Sequence, residues 1–208
     1  LKEFLDTFDY PYLYFDFETY APAIPIYDGT HAHQKIPFQY SLHIEQKNGS
    51  VEHTSFLAKT QDDPRETLIE QLVKELGTKG SIVVYHKSFE IERFKELAKE
   101  FPKYSELILE NWIPRVVDLE DPFSKFYYYN PKQKGKSSIK NVLPVLTDIS
   151  YEGMEISKGT DAYIKFARVI FSSVSEEEKN HVLEKLEEYC TQDTWAEVLL
   201  IKALKKLC

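Results

Sequence analysis

The segment Tyr10–Tyr20, with the sequence YPYLYFDFETY, is dense in aromatic side chains and contains no turn-forming residue after Pro11. This composition is typical of a β-strand, and we predict that the strand lies in the centre of a sheet. Side chains alternate along a strand, so one face carries Tyr12, Tyr14, Asp16 and Glu18 and the other carries Leu13, Phe15, Phe17 and Thr19. Two carboxylates therefore share a face with aromatic neighbours.

The two acids of this segment, Asp16 and Glu18, are expected to have Cα atoms roughly 6.5 to 7 Å apart. Like charges at this spacing, in surroundings that water reaches poorly, raise each other's pKa or recruit a cation. Because Asp and Glu make up 34 of the 208 residues, such pairs also occur by chance, and a surface strand with two solvated acids is the alternative. The apolar setting favours a divalent metal site.

The length of 208 residues and the hydrophobic content of 42% predict one well-buried domain spanning residues 1–208. The chain starts at Leu1 and its single methionine is Met154, so we expect a piece of a longer protein. Further domains are therefore expected in that protein.

No stretch approaches the roughly 20 apolar residues of a membrane span, and no signal peptide is evident. Cys190 and Cys208 form neither a disulfide framework nor a zinc spacing, which fits a reducing compartment, and we expect a cytoplasmic protein. The net charge of −8 argues against a protein that coats nucleic acid non-specifically. It does not exclude an enzyme with an acidic, metal-loaded centre and a local basic rim.

Alternation, apolar runs and turn signals predict five strands, at Tyr10–Tyr20, Phe38–Gln46, Val51–Ala58, Ser81–Tyr85 and Arg115–Leu119. The second and third are joined through Asn48-Gly49, the strongest short hairpin signal. The chain is thus expected to open with three antiparallel strands and to continue with parallel ones.

Helical spacing and end signals predict five helices. The first runs from Pro64 to Gly77 with Asp62 or Asp63 as its cap, the second from Ser88 to just before Pro102, and two short ones cover Ser138–Leu143 and Thr160–Phe171. The last begins at a capping box formed by Ser175 and Glu178 and runs to Leu207, with a break allowed near Glu188. Three strands, followed by alternating strands and helices and then by helices alone, predict an α/β fold with a mixed sheet flanked by helices.

The last helical stretch contains Tyr189 and Asp193 within the sequence YCTQD. Positions four apart share a helical face, so the phenol and the carboxylate are expected to point the same way. Glu90 lies in the first turn of the helix that begins at Ser88, where a carboxylate can also simply complement the helix dipole.

These motifs, in this order, resemble the DEDD superfamily of 3′-to-5′ exonucleases, and its tyrosine branch in particular. Asp16 and Glu18 resemble the first motif of that superfamily, and Tyr189 with Asp193 resembles the third. The second motif, Asn-x-x-Phe-Asp, falls on His86, Phe89 and Glu90, where only Phe89 is kept. The segments FDFET, SFE, GKSSIKNVLP and YCTQDT together are similar to a bacterial family of predicted nucleases in that superfamily.

The resemblance implies a ribonuclease H-like fold and a site that holds two divalent ions, Mg²⁺ or Mn²⁺. It is also compatible with additional nuclease or helicase domains in the full-length protein. Asp16 would bridge both ions, Glu18 and Asp193 would complete one site, and Glu90 would serve the other. Tyr189 would orient the attacking water. Two ions roughly 3.5 to 4 Å apart stabilise the attacking and leaving oxygens of phosphodiester hydrolysis, and an all-oxygen site suits these metals.

An irregular stretch carries Tyr127, Tyr128 and Tyr129, followed by Lys132, Lys134, Lys136 and Lys140. Such a stretch can hold phosphates and stack bases, and we predict that these lysines and His86 bind nucleic acid. A solvated loop with aromatic side chains returning to the core is the alternative.

Other motifs and residues of the chain are predicted to have no part in catalysis or in a separate metal site. Gly135-Lys136-Ser137 lacks the first glycine and the setting of a P-loop, and His31 and His33 are predicted to be surface residues. Asp118 is predicted to be a cap or a supporting acid, and Cys190 a packing residue.

The function expected from these residues is metal-dependent 3′-to-5′ exonuclease activity on single-stranded DNA or RNA. The first alternative is a nuclease-like module that has lost efficient catalysis and binds nucleic acid or a partner domain. The second is an endonuclease of the same fold.

Overall fold

The computed structural model describes all residues, Leu1–Cys208, and contains a mixed sheet of five strands in the order β3-β2-β1-β4-β5. The strands are β1 Tyr12–Tyr20, β2 Ile36–Glu45, β3 Val51–Leu57, β4 Ser81–Val84 and β5 Val116–Asp118. Strands β1, β2 and β3 pair antiparallel, whereas β1 with β4 and β4 with β5 pair parallel. The predicted central position of the first strand and the hairpin at Asn48-Gly49 are confirmed.

Seven α-helices accompany the sheet, and a π-helical segment covers Leu107–Trp112. The α-helices are α1 Lys2–Leu5, α2 Arg65–Leu76, α3 Ser88–Glu100, α4 Asp121–Ser124, α5 Ile139–Leu146, α6 Gly159–Phe171 and α7 Glu176–Lys205. The chain is therefore an α/β domain with a five-stranded mixed sheet flanked by helices, as predicted. None of the helices is both long and apolar enough to cross a membrane.

Each face of β1 supplies a different hydrophobic core. Tyr12 and Tyr14 pack into a core shared with α5, α6 and α7. Leu13, Phe15 and Phe17 pack into the core on the opposite face, with α2 and α3. Asp16 and Glu18 continue the register of Tyr12 and Tyr14, so they lie on the face that α7 covers.

The register of β1 and β2 shifts between Glu18 and Thr19, because Glu18 pairs with Gln39 whereas Thr19 pairs with Pro37. An extra residue on one strand marks a bulge, which increases the local twist and changes the direction of nearby side chains. Here it lies directly beside one of the two acids.

Two details of the helix ends differ from prediction. Helix α2 begins after Pro64 without a side-chain cap of the predicted kind, and Asp63 instead accepts hydrogen bonds from the backbone and guanidinium nitrogens of Arg65. At α7 the predicted Ser175 cap is present, since its Oγ accepts from the N–H of Glu178 at 3.1 Å. The Glu178 carboxylate, however, pairs with Arg168 at 2.6 Å.

The break allowed near Glu188 is wrong, because α7 runs without interruption for 30 residues. Buried side chains occur on both sides of that position, Leu186 before it and Tyr189 and Cys190 after it. Continuous packing against β1 and β2 thus holds the helix together through its polar middle.

Replacement of Gly80 tests the packing at the start of the sheet. A Cβ at Gly80, where φ is +85°, would lie 2.1 Å from the carbonyl oxygen of Pro11. We expect Gly80→Ala to lower the free energy of unfolding by about 2 to 4 kcal/mol, from backbone strain plus overpacking. Gly153→Ala has the same φ of +85° with no atom within 4 Å, and should cost only about 1 kcal/mol. Equal losses in urea unfolding would contradict the packing argument.

Candidate metal centre

Three carboxylates from opposite ends of the chain meet between β1 and α7. Asp16 and Glu18 come from β1 and Asp193 from the middle of α7, and one oxygen of each lies within 4.8 Å of the others. The predicted face shared by Tyr189 and Asp193 turns toward the same place. The structure therefore brings together the three acids that the first and third motifs supply.

Buried polar contacts fix the helix at this position. The Thr194 hydroxyl lies 2.7 Å from Ser41 Oγ and 2.8 Å from His43 Nδ1, both on β2. About two turns earlier, Gln39 Nε2 donates to the Leu186 carbonyl at 2.9 Å. Because Asp193 adjoins Thr194, its carboxylate is held in register with the acids of β1.

A small cavity of about 180 Å³ opens beside these acids. It is lined by Asp16, Glu18, Tyr85, Ile139, Lys140, Tyr189, Asp193 and Glu197. Its size would admit a metal ion with a few ligand atoms rather than a nucleotide, so a substrate would have to present its reacting group from outside.

Lys140 contributes the positive charge of the cavity. Its Nζ lies 5.1 Å from the ring centre of Tyr151 and 5.2 Å from that of Tyr189, and it donates to the Tyr189 hydroxyl at 3.3 Å and to the Ser157 carbonyl. We predicted Lys140 as part of a phosphate-binding loop. The structure places it further inward than the other loop lysines, among the acids themselves.

Tyr151 is a site residue that the sequence analysis missed. Its hydroxyl donates to Asp193 Oδ1 at 2.5 Å, and its ring packs edge-on against Tyr189. It lies in an irregular segment between α5 and α6, where no periodic pattern indicates which side chains turn inward.

Burial and mutual repulsion dominate the electrostatics of the acids. Burial, together with the charges of Asp193 and Glu18, raises the pKa of Asp16 well above its ordinary value. The pKa of Glu18 is raised to about 8, first by burial and then by Asp193. Burial also raises the pKa of Asp193 to about 6, against the opposing effects of the Tyr151 hydrogen bond and the charge of Lys140. Such shifts are typical of sites that bind cations or protons.

Glu90, the acid of the altered second motif, is buried at 2% exposure in the first turn of α3. Burial raises its pKa to about 8, and its Oε2 has no hydrogen-bond partner. It neither belongs to the group of three acids nor lines the cavity. The structure thus places Glu90 near the centre, since its charge acts on Asp16 and Glu18, but outside the cavity.

Glu197 is the second residue that the sequence analysis missed. It is 1% exposed, lines the cavity, and has an Oε2 without a partner. The signal was present, because Tyr189, Asp193 and Glu197 follow one another at intervals of four.

The donors present fit a hard divalent cation. All three converging side chains offer carboxylate oxygens, which are the preferred ligands of Mg²⁺ and Mn²⁺. The unpartnered Oε2 atoms of Glu90 and Glu197 are further buried acceptors that the protein itself does not satisfy.

The lysine loop, which we define as residues 126–137, is exposed next to this centre. Lys132, Lys134 and Lys136 are exposed and form no ion pair, and Phe126, Tyr127 and Tyr129 are exposed by 69%, 46% and 47%. Tyr85, which lines the cavity, donates its hydroxyl to the Ser137 carbonyl at the end of the loop. Most of the loop's aromatic side chains therefore face solvent rather than the core, Tyr128 being half-buried.

His86 is exposed, and its Nδ1 lies 2.9 Å from Glu120 Oε2. Asp118 accepts hydrogen bonds from the N–H groups of His86 and Lys87, the two residues that precede α3, so it supports the turn before the helix rather than capping the helix itself. His31 and His33 are exposed, as predicted.

Cys190 is buried, as a packing residue should be, with its Sγ 3.9 Å from Asp16 Oδ2. Ser137, at the rejected P-loop sequence, follows a short turn of 3₁₀ helix rather than a strand. Its hydroxyl donates to Glu120 at 2.7 Å.

Residues 13–138 match the family described as Domain of unknown function (DUF2779), and because this is more than half of the chain, the chain belongs to that family. It is similar to an uncharacterized protein of Ureaplasma parvum serovar 3, with 26% identity over 94% of this chain and 31% of that protein. An uncharacterized protein of Mycoplasma pneumoniae is 25% identical over 90% of this chain and 31% of its own length. The chain thus spans about a third of the length of these curated relatives. No solved structure matches it.

The raised pKa values predict how the metal-free protein responds to pH. Folded Glu18, with its pKa raised from 4.5 to about 8, keeps a proton that the unfolded chain releases. Stability should therefore fall as pH rises between these two values, by about 1.4 kcal/mol per pH unit for each retained proton. We expect the Tm of chelator-treated protein to drop from about pH 5 to about pH 8, and Mn²⁺ to restore it at the upper end.

Glu18→Gln should make this pH dependence shallower, because it removes one of the retained protons. Glu184→Gln, which neutralises an exposed acid on α7, is the matched control and should leave the slope unchanged. A Tm that rises with pH over the same interval in the wild type would contradict the proposed cause.

Proposed function

We propose that this member of the DUF2779 family is a metal-dependent 3′-to-5′ exonuclease that hydrolyses phosphodiester bonds at single-stranded ends of DNA or RNA. The observation that carries the proposal is the convergence of Asp16, Glu18 and Asp193 to within 4.8 Å, although 175 positions separate Glu18 from Asp193 in the sequence. Carboxylates at such spacing in a partly buried site repel one another unless a cation lies between them.

The architecture supports a ribonuclease H-like fold. Three antiparallel strands are followed by two parallel ones, the acids lie on the central strand, and the last long helix packs across it. These are the features that the resemblance to the DEDD superfamily, and to its tyrosine branch, implies for this chain.

Asp16, Glu18 and Asp193 would hold Mg²⁺ or Mn²⁺, and Glu90 lies close enough to influence the site by its charge. When bound, two such ions stabilise the attacking and leaving oxygens of an in-line displacement. The protein's own contribution is to fix the acids before the ions arrive, so that little reorganisation is needed in the reaction.

Tyr189 would orient the attacking water. Burial and the charge of Asp193 raise its pKa above the ordinary range, so the hydroxyl stays protonated at neutral pH and can donate a hydrogen bond. The lone pairs of that oxygen face Lys140 Nζ at 3.3 Å. This contact helps to fix the position of the hydroxyl oxygen, as a group that positions a nucleophile requires.

Lys140 supplies a fixed positive charge beside the acids. In the free protein its ammonium group opposes the rise in the pKa of Asp16, Glu18 and Asp193. With substrate present, the same charge would attract the phosphate at which cleavage occurs. It therefore links the acidic centre to the nucleic-acid surface.

The lysine loop would bind the rest of the strand. Its lysines have no acidic partners, and the exposed rings of Phe126, Tyr127 and Tyr129 can stack on unpaired bases. A chain with a net charge of −8 needs such a local concentration of positive charge to attract a polyanion.

A binding module without efficient cleavage is the second candidate function. The position of Glu90 favours it, because the acid expected to serve the second ion does not line the cavity. Nucleic acid or a partner domain would then bind to the same surface without being cut.

An assay of cleavage tests the first candidate. We expect the wild type with Mg²⁺ or Mn²⁺ to shorten a 5′-labelled single-stranded DNA or RNA oligonucleotide progressively from its 3′ end. Asp16→Asn and Asp193→Asn should each lower the rate at least about 100-fold, because each removes a ligand charge. Asp148→Asn, the same change at an exposed position outside the cavity, should keep the wild-type rate.

The products separate the alternatives. A shift of the oligonucleotide on a native gel without any shortening would support the binding module and contradict the exonuclease. Cleavage of circular single-stranded DNA would indicate an endonuclease, since a circle has no 3′ end.

The role of the lysine loop is tested by replacing Lys132, Lys134 and Lys136 together with alanine. We expect the Kd for a single-stranded oligonucleotide to rise about tenfold or more at low salt and its salt dependence to weaken, because phosphate contacts release counterions. The metal centre is untouched, so the rate at saturating substrate should remain.

The matched control replaces Lys74, Lys95 and Lys99, three exposed lysines without ion pairs on α2 and α3. These helices cover the opposite face of the sheet. Equal losses of affinity in the two triple variants would mean that the lysine loop is not the binding surface.

A further inference from the structure

Glu197 combines three properties that no other acid of this chain combines. It is 1% exposed, it lines the same cavity as Asp16 and Asp193, and its Oε2 has no hydrogen-bond partner. Glu90 shares the burial and the unpartnered oxygen but does not line the cavity. Asp16, Glu18 and Asp193 line it without a buried unpartnered oxygen.

The backbone of α7 explains why Glu197 lies there. Tyr189, Asp193 and Glu197 follow at intervals of four along an unbroken helix, so their side chains form one row facing β1. Glu197 extends this row one turn beyond Asp193 and, like Tyr85, lines the cavity.

Surrounding side chains do not explain a carboxyl group at this position. Buried polar groups are almost always paired, and a buried carboxylate without a partner is destabilising. The apolar neighbours of Glu197 on the same helix, Ala196, Val198 and Leu200, are fully buried, so an apolar residue could have filled the same space. An acid in such a place, in the wall of a cavity that three other carboxylates also line, points to a cation as its partner.

We propose that Glu197 is a cation ligand of the centre and holds, together with Asp16, the second of two divalent ions. This inference rests on the acidic centre of the proposed function and adds to it a fourth acid from the cavity wall. It also accounts for the position of Glu90 outside the cavity, because the row of side chains on α7 supplies the carboxylate that the altered second motif does not bring into the cavity.

Binding of Mn²⁺ in the absence of nucleic acid tests the proposal directly. Isothermal titration, with electron paramagnetic resonance to count free Mn²⁺, should give two ions per wild-type chain. Glu197→Gln keeps the shape of the side chain and removes its charge. We expect this variant to bind one ion with the wild-type affinity and to weaken the second at least tenfold.

Glu45→Gln is the matched control. Glu45 is also buried, but its Oε2 accepts a hydrogen bond from Tyr14 at 2.6 Å and it does not line the cavity. This variant should still bind two ions. If Glu197→Gln does not fold, Glu197→Asp decides the matter, because the shorter side chain should weaken the second ion, and an unchanged affinity would overturn the proposal.

The outcomes separate this inference from the proposed function. Two ions in both the wild type and Glu197→Gln would overturn the inference and leave the exonuclease proposal intact, as would a single ion in the wild type with cleavage retained. Two ions in the wild type, one in Glu197→Gln and no cleavage by either would support the inference and overturn the exonuclease. A wild type that binds no Mn²⁺ would overturn both.

Discussion

The buried polar contacts between α7 and β2 decide where the acids of this chain stand relative to one another. Thr194 bonds to Ser41 and His43, and Gln39 bonds to the carbonyl of Leu186, so the helix cannot slide along the sheet without leaving buried donors and acceptors unpaired. Repulsion between Asp193 and the two acids of β1 acts against this arrangement. The fold thus holds together charges that would separate if the helix were free to move.

Much of the fold could be predicted from the sequence because the relevant signals are local. The alternation of Tyr12 to Glu18 places both acids on one face of a strand, and Asn48-Gly49 specifies a hairpin without reference to the rest of the chain. The spacing of Tyr189 and Asp193 likewise follows from helical geometry alone. That the two motifs would meet could be expected only from the resemblance to the DEDD superfamily, because no local sequence signal relates β1 to α7.

The rest depends on tertiary contacts that local patterns do not encode. Tyr151 reaches Asp193 from an irregular segment, and Lys140 turns inward because two tyrosine rings and the Ser157 carbonyl receive it. The uninterrupted course of α7 is set by packing rather than by propensity. Glu197 is different, because its spacing was visible in the sequence, but a glutamate on a long helix gives no sign of burial until the sheet beneath it is known.

The opposite cores on the two sides of β1 make the length of this strand more critical than its composition. Apolar residues of similar volume could replace Leu13 or Phe15 at a cost of less than about 1.5 kcal/mol, because each side chain remains on its own side of the sheet. A single inserted or deleted residue between Tyr12 and Asp16 would exchange the sides, burying both carboxylates among the apolar residues of α2 and α3 and turning Phe17 toward Asp193. We therefore expect related chains to differ in this segment by substitution alone, and to differ in length only in the loops that flank it.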